Sequence, residues 1–179
     1  SSRHNRAYWR DRSFVAVGPG AHGQRQLADG SLERRFNPRS LGAWRQVEDH
    51  APEKIRTQPY RDGSARMVVS RSHSGEPVKH FHAALEAQSG QPVQAIKMGS
   101  SLKICLVAEG GADVYPRLAL TSEWDTGAAH CVLNEAGGSI FDYNGNPLVY
   151  NKREMRNPWF IAVGDPTYNW IDLCPRSPV

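Results

Sequence analysis

Hydrophobic and polar positions alternate most regularly in the part of the chain that follows residue 66. Short apolar runs containing Val or Ile predict strands at residues 67–70, 93–96, 112–115, 139–142 and 160–163. Apolar positions at helical spacing predict helices at residues 76–88, 102–107 and 124–136, the last two followed by paired glycines. Strands that alternate with helices in this way favour an α/β fold, with a mixed sheet flanked by helices.

Two smaller features complete this pattern. Pro116 is expected to end the strand before it, because proline has no backbone N–H to donate within a sheet. Residues 143–146 (YNGN) predict a turn, and residues 148–150 (LVY) are expected to pair back after it.

The first 66 residues give weaker signals. Residues 13–17 (SFVAV) predict a short strand. The pair Asn37-Pro38 favours the start of a short helix that runs through Leu41 and Trp44. Residues 51–64 contain two prolines and predict extended chain and turns. We therefore expect an N-terminal arm or an extra strand beside the α/β domain.

Charge is divided unevenly along the chain. Residues 1–44 contain eight arginines and three acidic residues and carry +5, whereas residues 45–179 contain 14 basic and 15 acidic residues and carry −1. The basic arm contains Tyr8, Trp9 and Phe14, and it is either a contact for nucleic acid or a solvated segment. No stacking motif or recognition helix accompanies the charge, so specific nucleic-acid binding is not expected.

Length and cysteine usage narrow the class of protein. A chain of 179 residues is one domain, or one domain plus an appendage. No apolar run approaches 18 residues, so no membrane span is expected, and the N-terminus shows no secretory signal. Cys105, Cys131 and Cys174 form no CxxC pair, which argues against a disulfide framework and a structural zinc site. Reduced thiols favour a cytoplasmic protein.

Two polar clusters lie at the ends of predicted elements. Residues 70–73 (SRSH) follow a strand, where open α/β sheets bind their ligands. Their hydroxyls, Arg71 and His73 suit an anion, although a polar loop has the same composition. Residues 99–103 (GSSLK) precede a helix whose free N–H groups favour a phosphate, to which Lys103 would add a charge. The alternative here is an ordinary N-cap.

A third cluster, residues 123–129 (EWDTGAA), begins the next helix. Asp125 is either the cap of that helix or a ligand of a hard cation such as Mg²⁺. The small residues after it leave room for a ligand or a backbone segment to approach closely.

These clusters carry a family resemblance. Residues 124–130 (WDTGAAH) and 134–138 (NEAGG) resemble the W-D-x-A-A-G and E-A-G-G motifs of the inositol monophosphatase superfamily. The SRSH and GSSLK clusters, with AEG at residues 108–110 and YPR at 115–117, are similar to its CysQ-like 3′(2′),5′-bisphosphate nucleotidase branch. The resemblance extends over residues 42–166 and implies the C-terminal lobe of that fold. The chain has GAA at residues 127–129, where the family usually has AAG.

The resemblance also implies roles for residues that match the family's motifs. Seven residues would bind substrate: Ser70, Ser72, His73, Ser101, Lys103, Arg117 and Thr126. Ser70 and His73 would contact a nucleotide, and Ser101, Lys103 and Arg117 would hold its sugar and phosphate. Asp125 would be a remnant of the catalytic site, as a ligand of Mg²⁺ near the scissile phosphate.

The family's magnesium cluster depends mainly on the motif Asp-Pro-x-Asp-Gly-Thr, with a Glu pair upstream, and this sequence lacks that motif. Residues 62–64 (DGS) match only its end. Two-metal phosphoryl chemistry requires several ligands, so we expect weak Mg²⁺ binding. The resemblance then implies a truncated phosphatase that binds nucleotide phosphate without hydrolysing it. The alternatives are a recombined protein without enzymatic function, and an active Mg²⁺-dependent phosphatase completed by another chain.

The N-terminal arm resembles a different family. Residues 2–10 and 17–23 contain the string HN…YW…GPGAHG, which is similar to HemW-type, radical-SAM coproporphyrinogen-oxidase-like proteins. The CxxxCxxC triad of that family is absent, so no iron–sulfur cluster is expected. The two resemblances predict a chimera, with a basic arm at residues 1–44 and a phosphatase-like α/β domain at residues 45–179. A lone lobe exposes apolar surface, so we also expect a homo-oligomer.

Overall fold

A computed structural model describes residues 6–8, 13–17, 24–26, 32–34, 42–47, 51–61, 63–70, 75–99 and 102–175. The strands of this part of the chain are β1 (Arg6–Tyr8), β2 (Ser13–Val17), β3 (Gln24–Gln26), β4 (Leu32–Arg34), β5 (Ala43–Val47), β6 (Glu53–Lys54), β7 (Arg66–Ser70), β8 (Gln94–Met98), β9 (Val114–Arg117), β10 (Thr121–Ser122), β11 (Ser139–Asp142), β12 (Arg156–Asn157) and β13 (Phe160–Val163). Its helices are α1 (Glu76–Ser89), α2 (Leu102–Ala108), α3 (Glu123–Ala136) and a short 3₁₀ helix (Ile171–Leu173).

Five strands form the main sheet, in the order β11-β13-β9-β7-β8. Strand β7 is parallel to both β8 and β9, while β13 runs antiparallel to β9 and to β11. The parallel pairs follow from the intervening helices, because a chain that crosses over through a helix returns in the same direction. The predicted mixed α/β sheet is therefore present.

Alternate residues of the main sheet enter two different cores. On one face, Val68 and Ala162 belong to a buried cluster with Ile104 of α2 and Leu133 of α3. On the other face, Met67, Val69, Ile161 and Val163 belong to a cluster that contains Phe81 and Leu85 of α1 and Trp170. Side chains of a strand alternate between faces, and so α1 covers one side of the sheet and α2 with α3 the other.

The N-terminal strands form a second sheet, in the order β1-β2-β5-β6. Residues 13–17 are a strand, as predicted, and they pair antiparallel with β5 in a register that places Ala16 opposite Trp44. The prediction of a short helix through Trp44 is wrong, since Trp44 lies within β5. Pairing with β2 and β6 takes up the backbone groups of β5. Residues 37–41 lie outside the described residues.

One smaller prediction fails and another holds only in part. Pro116 lies inside β9, which continues to Arg117 because β13 pairs alongside it through Phe160. Residues 148–150 form no strand; the chain returns after its turn through a single bridge between Phe141 and Pro147 and a bond from Leu148 N to Ile140 O.

The paired glycines after α3, Gly137 and Gly138, are required for different structural reasons. Gly137 ends the helix with a φ of +102°, which favours glycine. A Cβ on Gly138 would collide with Leu133 and would lie 2.5 Å from the carbonyl oxygen of Val163. The pair thus lets α3 turn closely into β11.

None of the helices in the described part of the chain is long and apolar enough to cross a membrane.

Candidate phosphate-binding site

Three predicted site residues lie at one edge of the main sheet. Ser70 ends β7, Arg117 ends β9, and Lys103 lies in the first turn of α2, which follows β8. Because β7 is parallel to β8 and β9, the carboxyl ends of these strands meet at this edge, where open α/β sheets bind ligands. Arg71, Ser72, His73 and Ser101 lie outside the described residues, so their roles stay predictions.

Lys103 is a buried cation. Its side chain packs so that Nζ lies 5.3 Å from the centre of the Tyr115 ring, and only 6% of the residue is exposed. Burial, and then the nearby charge of Arg117, lower the pKa of Lys103 to about 8. Burial removes the water that would stabilise the charge of such a lysine. A bound anion supplies that stabilisation instead.

Arg117 is held close to Lys103. Its Nη2 donates to the carbonyl oxygen of Leu120 at 3.3 Å, and its buried Nε has no hydrogen-bond acceptor among the described residues. Burial raises the pKa of Tyr115 to about 12, although a hydrogen bond with Arg117 opposes that rise. Neither Lys103 nor Arg117 forms a salt bridge within the described part of the chain. Two cations without a carboxylate partner make this edge attractive to phosphate.

The start of α3 is fixed by a capping box. Ser122 is the N-cap, and its backbone N–H donates to Oδ2 of Asp125 at 2.8 Å. Asp125 itself is exposed and occupies the third helical position. The carboxylate therefore caps the helix from that position, and its second predicted role, as a metal ligand, stays a prediction.

Thr126 lies in the interior behind this turn, with 2% of the residue exposed. Its Oγ1 donates to Glu123 O at 3.2 Å, and it accepts from Tyr150 Oη at 3.3 Å and Asn157 Nδ2 at 3.0 Å. These bonds occupy the hydroxyl fully, so Thr126 holds the helix start in this structure. Its contact with substrate remains a prediction.

His130 extends the same network. Its Nδ1 lies 2.8 Å from the hydroxyl of Tyr150. Burial lowers the pKa of His130, which favours the neutral imidazole, and burial raises the pKa of Tyr150. We therefore expect a neutral His130–Tyr150 pair at physiological pH, which supports α3 and carries no charge to the edge of the sheet.

A second clamp holds the first turn of α3. The carboxylate of Glu123 accepts from the backbone N–H groups of Asn151 at 2.7 Å and Lys152 at 3.1 Å, and from Lys152 Nζ at 2.6 Å. These bonds to Lys152 and Asn151 lower the pKa of Glu123. Sequence reasoning missed Lys152, Tyr150 and Asn157, because they follow α3 by many residues and belong to no local motif.

Mg²⁺ requires several oxygen ligands. Among residues 42–47, 51–61, 63–70, 75–99 and 102–175, no three His, Cys, Asp or Glu side chains come together as a metal site. One oxygen of Asp125 already accepts the Ser122 N–H, and Glu123 is bound to Lys152. The described residues therefore do not fit a magnesium centre by themselves, and no catalytic step through a metal follows from them.

Comparison with known proteins decides the family. The model of the inositol monophosphatase family matches residues 38–159. This chain belongs to that family. The first resemblance found in the sequence is thus confirmed for the inositol monophosphatase family, and the α/β fold is the one that this family member shares with solved relatives.

Two curated relatives similar to this chain are CysQ proteins. This family member is 37% identical over 135 residues to the 3′(2′),5′-bisphosphate nucleotidase CysQ of Haemophilus influenzae, covering 74% of this chain and 48% of that protein. It is 44% identical over 95 residues to CysQ of Escherichia coli, covering 52% and 37%. The chain thus spans less than half the length of these two curated relatives.

Solved structures agree on the fold. The crystal structure of CysQ from Bacteroides thetaiotaomicron superposes with a TM-score of 0.64 at 32% identity, covering 86% of this chain and 54% of that chain. Inositol monophosphate-bound SaIMPase-II superposes with a TM-score of 0.53 at 14% identity, covering 72% and 51%, and shows the fold alone. The family match begins at residue 38, so it lends no support to the HemW-type resemblance of residues 1–44 or to a chimera.

Proposed function

We propose that this chain forms the nucleotide- and phosphate-binding lobe of a phosphatase similar to the 3′(2′),5′-bisphosphate nucleotidases. One observation carries the proposal: Lys103 and Arg117 lie together at the carboxyl edge of the sheet with no salt-bridge partner among the described residues. The relatives named as bisphosphate nucleotidases supply the class of substrate. A nucleotide with two phosphate groups would satisfy both cations.

Within this lobe, Lys103 contributes a point charge and Arg117 a planar guanidinium for phosphate or for the oxygens of the sugar. Ser70 contributes a hydroxyl from the end of β7. Asp125 contributes a carboxylate at the start of α3, where the clamp through Glu123 fixes the backbone.

We further propose that the chain alone binds such nucleotides without hydrolysing them. The support is the sequence, which lacks the Asp-Pro-x-Asp-Gly-Thr motif, and the donor count at Asp125. A second chain that supplied the remaining ligands would restore Mg²⁺-dependent phosphatase activity, and hydrolysis by the isolated chain would show that this proposal is wrong.

Calorimetric titration of adenosine 3′,5′-bisphosphate tests the binding function. We expect Lys103→Ala to weaken the affinity tenfold or more, since charge-assisted bonds to phosphate contribute about 1.5–3 kcal/mol. Lys54→Ala is the matched control, because Lys54 is an exposed lysine of β6 in the N-terminal sheet. Equal affinities for the parent and Lys103→Ala would contradict the proposal.

A homo-oligomer of at least two copies is proposed as well. Four large hydrophobic side chains of the described residues are exposed: Leu120, Trp124, Val149 and Met155. Leu120 and Trp124 lie near the start of α3 in sequence, and the carbonyl oxygen of Met155 accepts from the N–H of Glu123. Trp124 is 72% exposed, and a second copy would remove such surface from water. Light scattering should give twice the 19.9 kDa mass of one chain at tens of micromolar, and a measured mass of 19.9 kDa would exclude the dimer.

A cytoplasmic location belongs to the same proposal. Its support is that Cys105, Cys131 and Cys174 are all free thiols, as expected where the medium is reducing. The basic arm is proposed to have no specific nucleic-acid partner.

A further inference from the structure

The side chain of Asn157 forms hydrogen bonds with three residues around the start of α3. It lies in β12, with 1% of the residue exposed, opposite Thr121 of β10. Its Nδ2 donates to the carbonyl oxygen of Ser122 at 2.8 Å, to Thr126 Oγ1 at 3.0 Å and to Thr121 Oγ1 at 3.2 Å. One amide group therefore touches the strand before the helix, the N-cap, and the first turn.

Asn157 acts on Asp125 through Ser122. The carbonyl oxygen of Ser122 accepts from Asn157, and the N–H of the same residue donates to Oδ2 of Asp125 at 2.8 Å. A shift of Ser122 would consequently change the position from which the Asp125 carboxylate is held. Neither of these hydrogen bonds joins Asn157 directly to the Asp125 carboxylate.

The other end of the amide shows that these donor bonds matter. Oδ1 of Asn157 is buried and has no hydrogen-bond partner among the described residues. A buried acceptor without a partner destabilises the fold, and an apolar side chain of similar shape would avoid that cost. In return, Nδ2 of Asn157 donates to Thr121, Ser122 and Thr126.

We propose that Asn157 is a positioning residue, which fixes Ser122 and Thr126 and thereby sets the orientation of the Asp125 carboxylate at the N-terminus of α3. The importance of Asp125 for ligand binding rests on the proposed function. The geometric part of the proposal, from Asn157 to Ser122, stands on the hydrogen bonds alone.

Amide hydrogen exchange of Ser122 tests the geometric part, because that N–H is the group bound to Asp125. In Asn157→Ala we expect Ser122 to exchange about tenfold faster relative to Leu133 in the same helix, as local opening becomes easier. The matched control is Asn146→Ala, since Asn146 Nδ2 donates to Asp142 at 3.2 Å in a separate turn. An unchanged Ser122 to Leu133 ratio, or a Ser122 amide without protection in the parent, would overturn the proposal.

Thr126 provides a second pair of variants if Asn157→Ala does not fold. Thr126→Val removes the hydroxyl that accepts from Asn157 and keeps the shape, whereas Thr126→Ser keeps the hydroxyl. We expect Thr126→Val to accelerate Ser122 exchange several-fold and Thr126→Ser to restore the parent's ratio. Equal ratios in the two variants would count against the network.

Nucleotide binding separates this proposal from the proposed function. In the presence of Mg²⁺, Asn157→Ala should bind adenosine 3′,5′-bisphosphate several-fold more weakly than Asn146→Ala. If the parent binds no nucleotide, the proposed function fails, and the exchange of Ser122 still decides the role of Asn157. If the parent binds and Asn157→Ala binds equally well, the positioning role is wrong.

Discussion

Lys103 Nζ lies 5.3 Å from the centre of the Tyr115 ring, in a position where only 6% of Lys103 remains exposed. The aromatic face attracts the cation, yet it does not replace the water that burial removes, and Arg117 adds repulsion. The pKa of Lys103 consequently falls from 10.5 to about 8. A charge kept at such a cost is typical of a binding site.

Lys103→Met should stabilise the protein at neutral pH while it weakens phosphate binding. Below pH 8 the lysine is charged in both states, so its burial lowers the folding stability by about 3 kcal/mol. Above pH 10.5 it is neutral in both states and the cost disappears. The gain in the free energy of unfolding, measured with urea, should therefore shrink between pH 8 and pH 10.5.

The control for this substitution is Lys54→Met, which should change the stability little because Lys54 is exposed. If the gain in the free energy of unfolding of Lys103→Met stayed constant up to pH 10.5, the apolar methionine alone would account for the gain.

Two glycines of the family motifs should respond oppositely to alanine. Gly127→Ala should stabilise α3 by about 0.5–1 kcal/mol, because its Cβ would meet only the Tyr150 ring at 3.6 Å. Gly138→Ala should destabilise by about 2 kcal/mol or more, since its Cβ would lie 2.5 Å from Val163 O. Thermal unfolding of both variants measures the difference, and a loss of stability in Gly127→Ala would show that Tyr150 cannot adjust.

Hydrolysis of adenosine 3′,5′-bisphosphate by the isolated chain should be undetectable with Mg²⁺ at neutral pH. Metal ions stabilise the transition state by several kcal/mol, and each 1.36 kcal/mol that is lost slows the reaction tenfold. Release of inorganic phosphate is the measurement. Magnesium-dependent turnover that disappeared in Asp125→Asn would contradict this expectation.

Removal of residues 1–23 should lower the midpoint of thermal unfolding. The deletion eliminates β1 and β2, and so leaves β5 without its pairing partner on that side. A loss of about 2 kcal/mol corresponds to about 4–8 °C in a domain of this size. An unchanged midpoint would mean that the arm contributes nothing to the fold.

The successes and failures of sequence reasoning have physical causes. Residues 76–88 were predicted as a helix because apolar residues at Val78, Phe81 and Leu85 recur at helical spacing, and α1 buries these three side chains. The local start signal at Asn37-Pro38 predicts a helix through Trp44. The strand around it forms through pairing with β2 and β6, which are distant in sequence.

The same distinction holds in the candidate site. The GSSLK, EWD and YPR strings are local, and the sequence indicated Lys103, Asp125 and Arg117 from them. Asn157 and Tyr150 belong to no such string. They reach Thr126 from 31 and 24 residues away, through contacts that exist only after the chain has folded.

By itself, the sequence determined the α/β class, the family motifs and the division of charge, because periodicity and motif spacing are properties of neighbouring residues. The tertiary structure decided that the basic arm joins a sheet with β5, and that Lys103 is buried beside Tyr115 and Arg117. It also decided that Thr126 faces the interior. Burial and long-range hydrogen bonds depend on which segments pack together, and that packing sets the electrostatics of the site.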